Sequence, residues 1–124
     1  MKVLIPLLSK DENNAQFLEK AAENADHVTL LIVIDTLSGK ERFGFTASQI
    51  AGCNSLAEEI IGSLKEKVAG IEQITEWGDT STKIRQIAEL RKVDIIFLKR
   101  QQNQFFDELV EQLRQGNLNV EVID

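Results

Sequence analysis

The chain has 124 residues and a mass of 13.9 kDa, room for one domain, taken as residues 1–124. Its 14 Lys and Arg against 20 Asp and Glu leave a net charge of −6, the wrong sign for gripping nucleic-acid phosphates or an anionic membrane surface. One cysteine and one histidine exclude an internal disulfide, a thiolate zinc site and a histidine-rich metal centre, and with no secretory signal and no apolar run near the roughly 20 residues of a membrane span a cytoplasmic location is expected.

Val3-Leu4-Ile5-Pro6-Leu7-Leu8 is an apolar run without alternation, the pattern of a strand covered on both faces. Ser9 and Glu12 follow with the spacing of a capping box, which predicts a helix starting at once. Its expected buried stripe is Ala15, Leu18, Ala22 and Ala25, with Phe17 and Ala21 beside it. Val28-Thr29-Leu30-Leu31-Ile32-Val33-Ile34 repeats this pattern without alternation and ends at Asp35. Residues 36–46 read as a loop with two glycines and the two rings Phe43 and Phe45, which suit either a cover over a ligand or an anchor to the body. From Ala47 to Ala69 the positions Ile50, Cys53, Ala57, Ile60, Ile61, Leu64 and Val68 have helical spacing, with Gly70 as the expected C-cap.

Glu72 to Trp77 alternates, as a rim strand with one wet face does. Gly78-Asp79 and Thr80 to Thr82 form a turn rich in helix N-caps, and a helix through Ile84, Ile87, Ala88 and Leu90 follows. Val93 to Leu98 is another buried-type strand, with Asp94 placed to fix the turn into it. Phe105, Phe106, Leu109, Val110 and Leu113 mark a last amphipathic helix, ended by Gly116-Asn117. Leu118 to Ile123 alternates as a second rim strand.

Strands alternating with helices imply an α/β fold with three layers, a five-stranded open parallel sheet and helices on both faces. The first, second and fourth strands are continuous and therefore central; the third and fifth alternate and therefore lie at the rims. The order 3-2-1-4-5 satisfies this. It places the topological switch point, where open α/β sheets take ligands, at the carboxyl ends of the first and fourth strands.

This layout resembles the universal stress protein family of the adenine-nucleotide α-hydrolase-like superfamily. Lys2-Val3-Leu4-Ile5-Pro6 is similar to the family's opening strand, and Leu30 to Asp35 to its second. Gly78-Asp79, then Ile84 and Ala88, then Val93 to Leu98, resemble its Gly-Asp-Pro turn, helix and fourth strand. The departures bear on function. ATP-binding members carry an aspartate after the first strand, where Leu8 stands here. They also carry a glycine-rich stretch after the fourth strand, where this chain reads Lys99-Arg100-Gln101-Gln102-Asn103-Gln104-Phe105-Phe106. Glycines let backbone N–H groups close on phosphates, so family-type ATP binding is not expected and no cofactor is assigned.

The candidate ligand residues are Leu8, Ser9 and Lys10 after the first strand, Asp35 after the second, and Lys99 and Arg100 after the fourth. The three cations suit a nucleotide or another small anionic metabolite; capping and solvated strand ends are the plainer reading. Cys53 falls on an apolar stripe, His27 on the surface and Trp77 at a strand end. No catalytic residues and no metal ligands are assigned: a single distant histidine builds no triad, and the lone carboxylates Asp35 and Asp79 define no magnesium site. A receiver-type response regulator shares the alternation but needs acidic residues at the end of the first strand and a lysine after the fifth, which Leu8-Ser9 and Asp124 do not supply. An enzyme is therefore not expected. The resemblance implies a homodimer through the last strand, with Val120, Val122 and Ile123 at the interface.

Overall fold

The computed structural model describes residues 1–35, 45–102 and 104–124. Phe43 and most of the 36–46 loop lie outside the described residues. Five strands, β1 Lys2–Leu7, β2 His27–Ile34, β3 Gly70–Trp77, β4 Ile95–Lys99 and β5 Val120–Ile123, form one sheet in the order β3-β2-β1-β4-β5. Every pairing is parallel. The order and the central placing of β1, β2 and β4 agree with the polarity of their sequences.

Four helices cover the sheet: α1 Ala15–Ala22, α2 Ile50–Leu64, α3 Thr80–Arg91 and α4 Gln104–Gln115. Side chains alternate across a strand, so the sheet divides the apolar residues into two cores. Val3, Ile5 and Leu7 of β1 join Leu30 and Ile32 of β2 against Phe17 and Leu18 of α1 and Ala57, Ile60 and Leu64 of α2. Leu4, Leu31 and Val33 face the other way, against Ile84 and Ala88 of α3 and Phe106, Leu109 and Leu113 of α4. Cys53 is buried in the first core, and burial pushes its thiol above the ordinary 9.0.

Four local expectations are corrected. The capping box at Ser9 forms, but on a 3-10 turn, Lys10–Glu12, rather than on an α-helix. The helix starts at Ala15, capped anew by the Asn14 side chain, and Ala15 is exposed. On α2 the helix ends at Leu64, so Val68 packs on the core from beyond it. Gly70 is not a C-cap; it is the first residue of β3. Asp79 caps α3 as expected, its carboxylate accepting from the Thr82 N–H at 3.0 Å. Asp94 accepts from the Lys2 N–H at 2.7 Å and so ties the entry of β4 to β1.

Candidate functional site at the carboxyl ends of the central strands

The switch point of this sheet lies between β1 and β4, where the order reverses. β1 ends in Leu7 and continues into Leu8, Ser9 and the 3-10 turn. That turn folds the Glu12 side chain back over the end of β1. Glu12 is fully buried, at 0% exposure, and one of its oxygens, Oε1, accepts from the Ser9 N–H at 2.8 Å and the Leu8 N–H at 3.1 Å. The other, Oε2, accepts from Gln101 Nε2 at 3.3 Å, and the same amide donates to the Lys99 carbonyl at 3.1 Å. Glu12 therefore spans the crevice from the end of β1 to the segment after β4.

The electrostatics follow from that placing. Burial pushes the Glu12 carboxyl up from the ordinary 4.5 to about 8, and the negative charge of Asp11 pushes in the same direction. The Ser9 and Leu8 N–H groups act against this without cancelling it. Below pH 8 the group is mostly a neutral acid. Its carbonyl oxygen has two lone pairs, which match the two backbone donors.

Of the expected site residues, Leu8 and Ser9 stand at the crevice. Leu8 is 6% exposed and belongs to the core under α3 and α4. Lys10 lies exposed on the 3-10 turn, and Lys99 ends β4 half-buried. Arg100 departs from the expectation of a crevice cation. Its guanidinium pairs with Asp124, beyond β5, on the side of β4 away from β1. Asp35 is buried, and its N–H donates to the Phe45 carbonyl at 3.0 Å. Phe45 in turn donates its N–H to the Val33 carbonyl at 2.8 Å and packs on the first core, so this ring anchors the chain to the body.

Glu12 and Gln101 are the residues that sequence reasoning missed. Glu12 was visible only as half of a capping box, and nothing local to Gln101 distinguishes it from its polar neighbours. Their meeting depends on the pairing of β1 with β4. Among the described residues, no group of three His, Cys, Asp or Glu is placed to hold a metal, and no helix is long and apolar enough to cross a membrane.

β5 forms one rim of the sheet. Asn119 and Ile123 turn their carbonyls toward β4, accepting from the Ile96 and Arg100 N–H groups. By alternation, the backbone groups of Val120 and Val122 point away from the sheet. The Val120 carbonyl accepts from Arg114 at 3.2 Å. The Val120 and Ile123 side chains pack into the chain's own cores, so an interface here would be made by backbone and by the exposed Glu121.

No family model matches the chain, and no curated protein does. Solved structures do. The hypothetical protein MJ0577 is 21% identical with a TM-score of 0.72, over 98% of this chain and 94% of its own. The universal stress protein UspA from Lactobacillus plantarum is 13% identical with a TM-score of 0.60, over 100% and 97%. A universal stress protein family protein from Arabidopsis thaliana, solved with AMP bound, is 13% identical with a TM-score of 0.63, over 99% and 90%. The fold is thus that of the universal stress proteins.

Proposed function

We propose that this chain is a universal-stress-protein-type domain that does not bind ATP in the manner of its nucleotide-binding relatives and acts as a homodimeric association module in a stress or regulatory response. The observation that carries this reading is the crevice itself. Leu8 and the buried Glu12 occupy the end of β1, and the Glu12 carboxyl takes the Leu8 and Ser9 N–H groups that an incoming anion would need. A triphosphate there would have to displace a tethered carboxyl and bring its charge into surroundings that already disfavour one. The glycine-free stretch Lys99 to Phe106 offers no compensating cradle. No catalytic step is part of this reading.

Association is supported by the β5 rim. The Val122 N–H and carbonyl face outward, and antiparallel pairing with a twin strand satisfies them with two-fold symmetry. Light scattering coupled to size exclusion tests it. The expected mass is twice 13.9 kDa, and Val122→Pro, which removes the outward N–H, should return the protein to a monomer. A wild-type monomer at micromolar concentration refutes the dimer.

The Arabidopsis protein with AMP favours a second reading, a binder of a nucleotide or another small anionic metabolite at the β1/β4 crevice. A thermal shift with AMP or ATP, reversed by Lys10→Ala or Lys99→Ala, would establish that reading in place of the first.

A further inference from the structure

At the opposite end of the sheet the amino ends of three strands stand side by side. The register sets Lys2 of β1 against His27 of β2, and His27 against Gly70 of β3. A cavity of about 420 Å³ opens there, lined by Lys2, His27, Gly70, Thr29, Glu72 and Arg91 among others. Its size is that of a small-metabolite pocket. In a chain of net charge −6, its lining carries two permanent cations and the only imidazole against one carboxylate.

That carboxylate is already engaged. Glu72 accepts from the Thr29 hydroxyl at 3.2 Å and from Arg91 Nε at 3.3 Å. The nearby Asp94 accepts the Lys2 N–H rather than pairing with its ammonium. The Lys2 ammonium and the His27 imidazole have no hydrogen-bond or ion-pair partner among the described residues; the acidic group that interacts electrostatically with His27, Asp26, is itself paired with the N-terminal ammonium. Carbonyls at the end of α3 would repel an anion, but the Lys92 N–H is directed at those of Ala88 and Glu89, and Val93 donates to Ala88 as well.

Gly70 is shaped to this arrangement. A Cβ there would stand 1.9 Å from His27 Cε1 and 2.1 Å from Nδ1. Only glycine leaves room for the ring to lie against the start of β3, where it forms part of the cavity wall.

We propose that this rim cavity is a binding site for a small phosphate-bearing metabolite, held by Lys2, Arg91 and the His27 imidazole. Two cations and an imidazole suit a doubly charged oxyanion better than a carboxylate. The cavity exceeds a bare phosphate, so the rest of the ligand occupies the space over Val93. This site is independent of the β1/β4 crevice.

Because His27 is the only histidine, its ring protons are unambiguous in a proton NMR spectrum. Inorganic phosphate is titrated to millimolar concentration at constant ionic strength, with acetate as the matched comparison. The expected result is a saturable movement of the His27 resonances with phosphate and little with acetate. In Lys2→Ala/Arg91→Ala, whose altered side chains are exposed, the movement should be lost while the rest of the spectrum stays folded. Resonances that ignore phosphate, that respond equally to acetate, or that respond equally in the double variant overturn the proposal.

Discussion

Replacing Glu12 with glutamine isolates the chemistry of the crevice. The side chain is 0% exposed and its Oε1 holds two backbone N–H groups. Glutamine has the same shape, its amide oxygen can accept both, and Gln101 can turn its own amide to accept the new NH2. The difference is that glutamine does not ionise. In the unfolded chain Glu12 titrates near 4.5, and in the folded protein near 8. Between those values the folded state holds the proton more tightly, so stability falls as pH rises. The contribution is complete below the unfolded value and lost as pH passes through the folded one. At about 1.4 kcal/mol per pH unit, the interval from 4.5 to about 8 corresponds to about 5 kcal/mol. The assay is urea unfolding of wild type and Glu12→Gln from acid to alkaline pH, followed by circular dichroism. All other titrating groups are shared and cancel in the difference. The two proteins should be nearly equally stable in mild acid, with the variant ahead by several kcal/mol above pH 8. Parallel stability curves would mean that Glu12 ionises as in water, and the account of a closed crevice would fail.

Asp79→Ala should cost about 1 kcal/mol of stability, as loss of an N-cap does. Burial works to raise the Asp79 pKa, but the Thr82 hydroxyl and N–H and the Ser81 hydroxyl outweigh it, so the group lies below its ordinary 3.8. Its contribution is therefore present above 3.8 and fades as pH falls further, and the gap between wild type and Asp79→Ala in denaturant titrations should close in strong acid. Phe17→Ala removes a fully buried ring between α1 and the sheet and should cost about 3–5 kcal/mol, read as a lower urea midpoint. Cys53, 3% exposed with its thiol pushed up by burial, should react with a thiol reagent only after denaturation; rapid labelling of the native protein would contradict its placing.

The parts of the fold legible in the sequence are those written in single-strand patterns. Val3 to Leu8 is apolar throughout, and Val28 to Ile34 is apolar but for Thr29, because helices cover both faces of the sheet. Glu72 to Trp77 alternates because β3 lies at a rim. Boundaries were less legible where one residue serves two uses. Ser9 and Glu12 form the capping box of a single 3-10 turn, and Asn14 starts the helix again. Val68 keeps the helical period of α2 because it still packs on the same core after the helix has ended.

The site was legible only at its β1 end. Leu8 and Ser9 follow from the switch-point rule, but Glu12 reaches Gln101 across 89 positions of sequence. Its burial is a product of the β1–β4 pairing, which no local pattern encodes. Lys2, His27 and Gly70 are likewise far apart in sequence and meet only through register. Arg100 was misplaced because the competing partner, Asp124, lies beyond another strand.

The account turns on whether the β1/β4 crevice is closed to nucleotide. Titrating ATP into isotopically labelled protein, and following the backbone amide resonances of Leu8 and Ser9, reads the two N–H groups that Glu12 holds. Both should stay fixed up to millimolar ATP. Saturable movement of these two resonances at micromolar ATP would show the carboxyl displaced and the crevice in use.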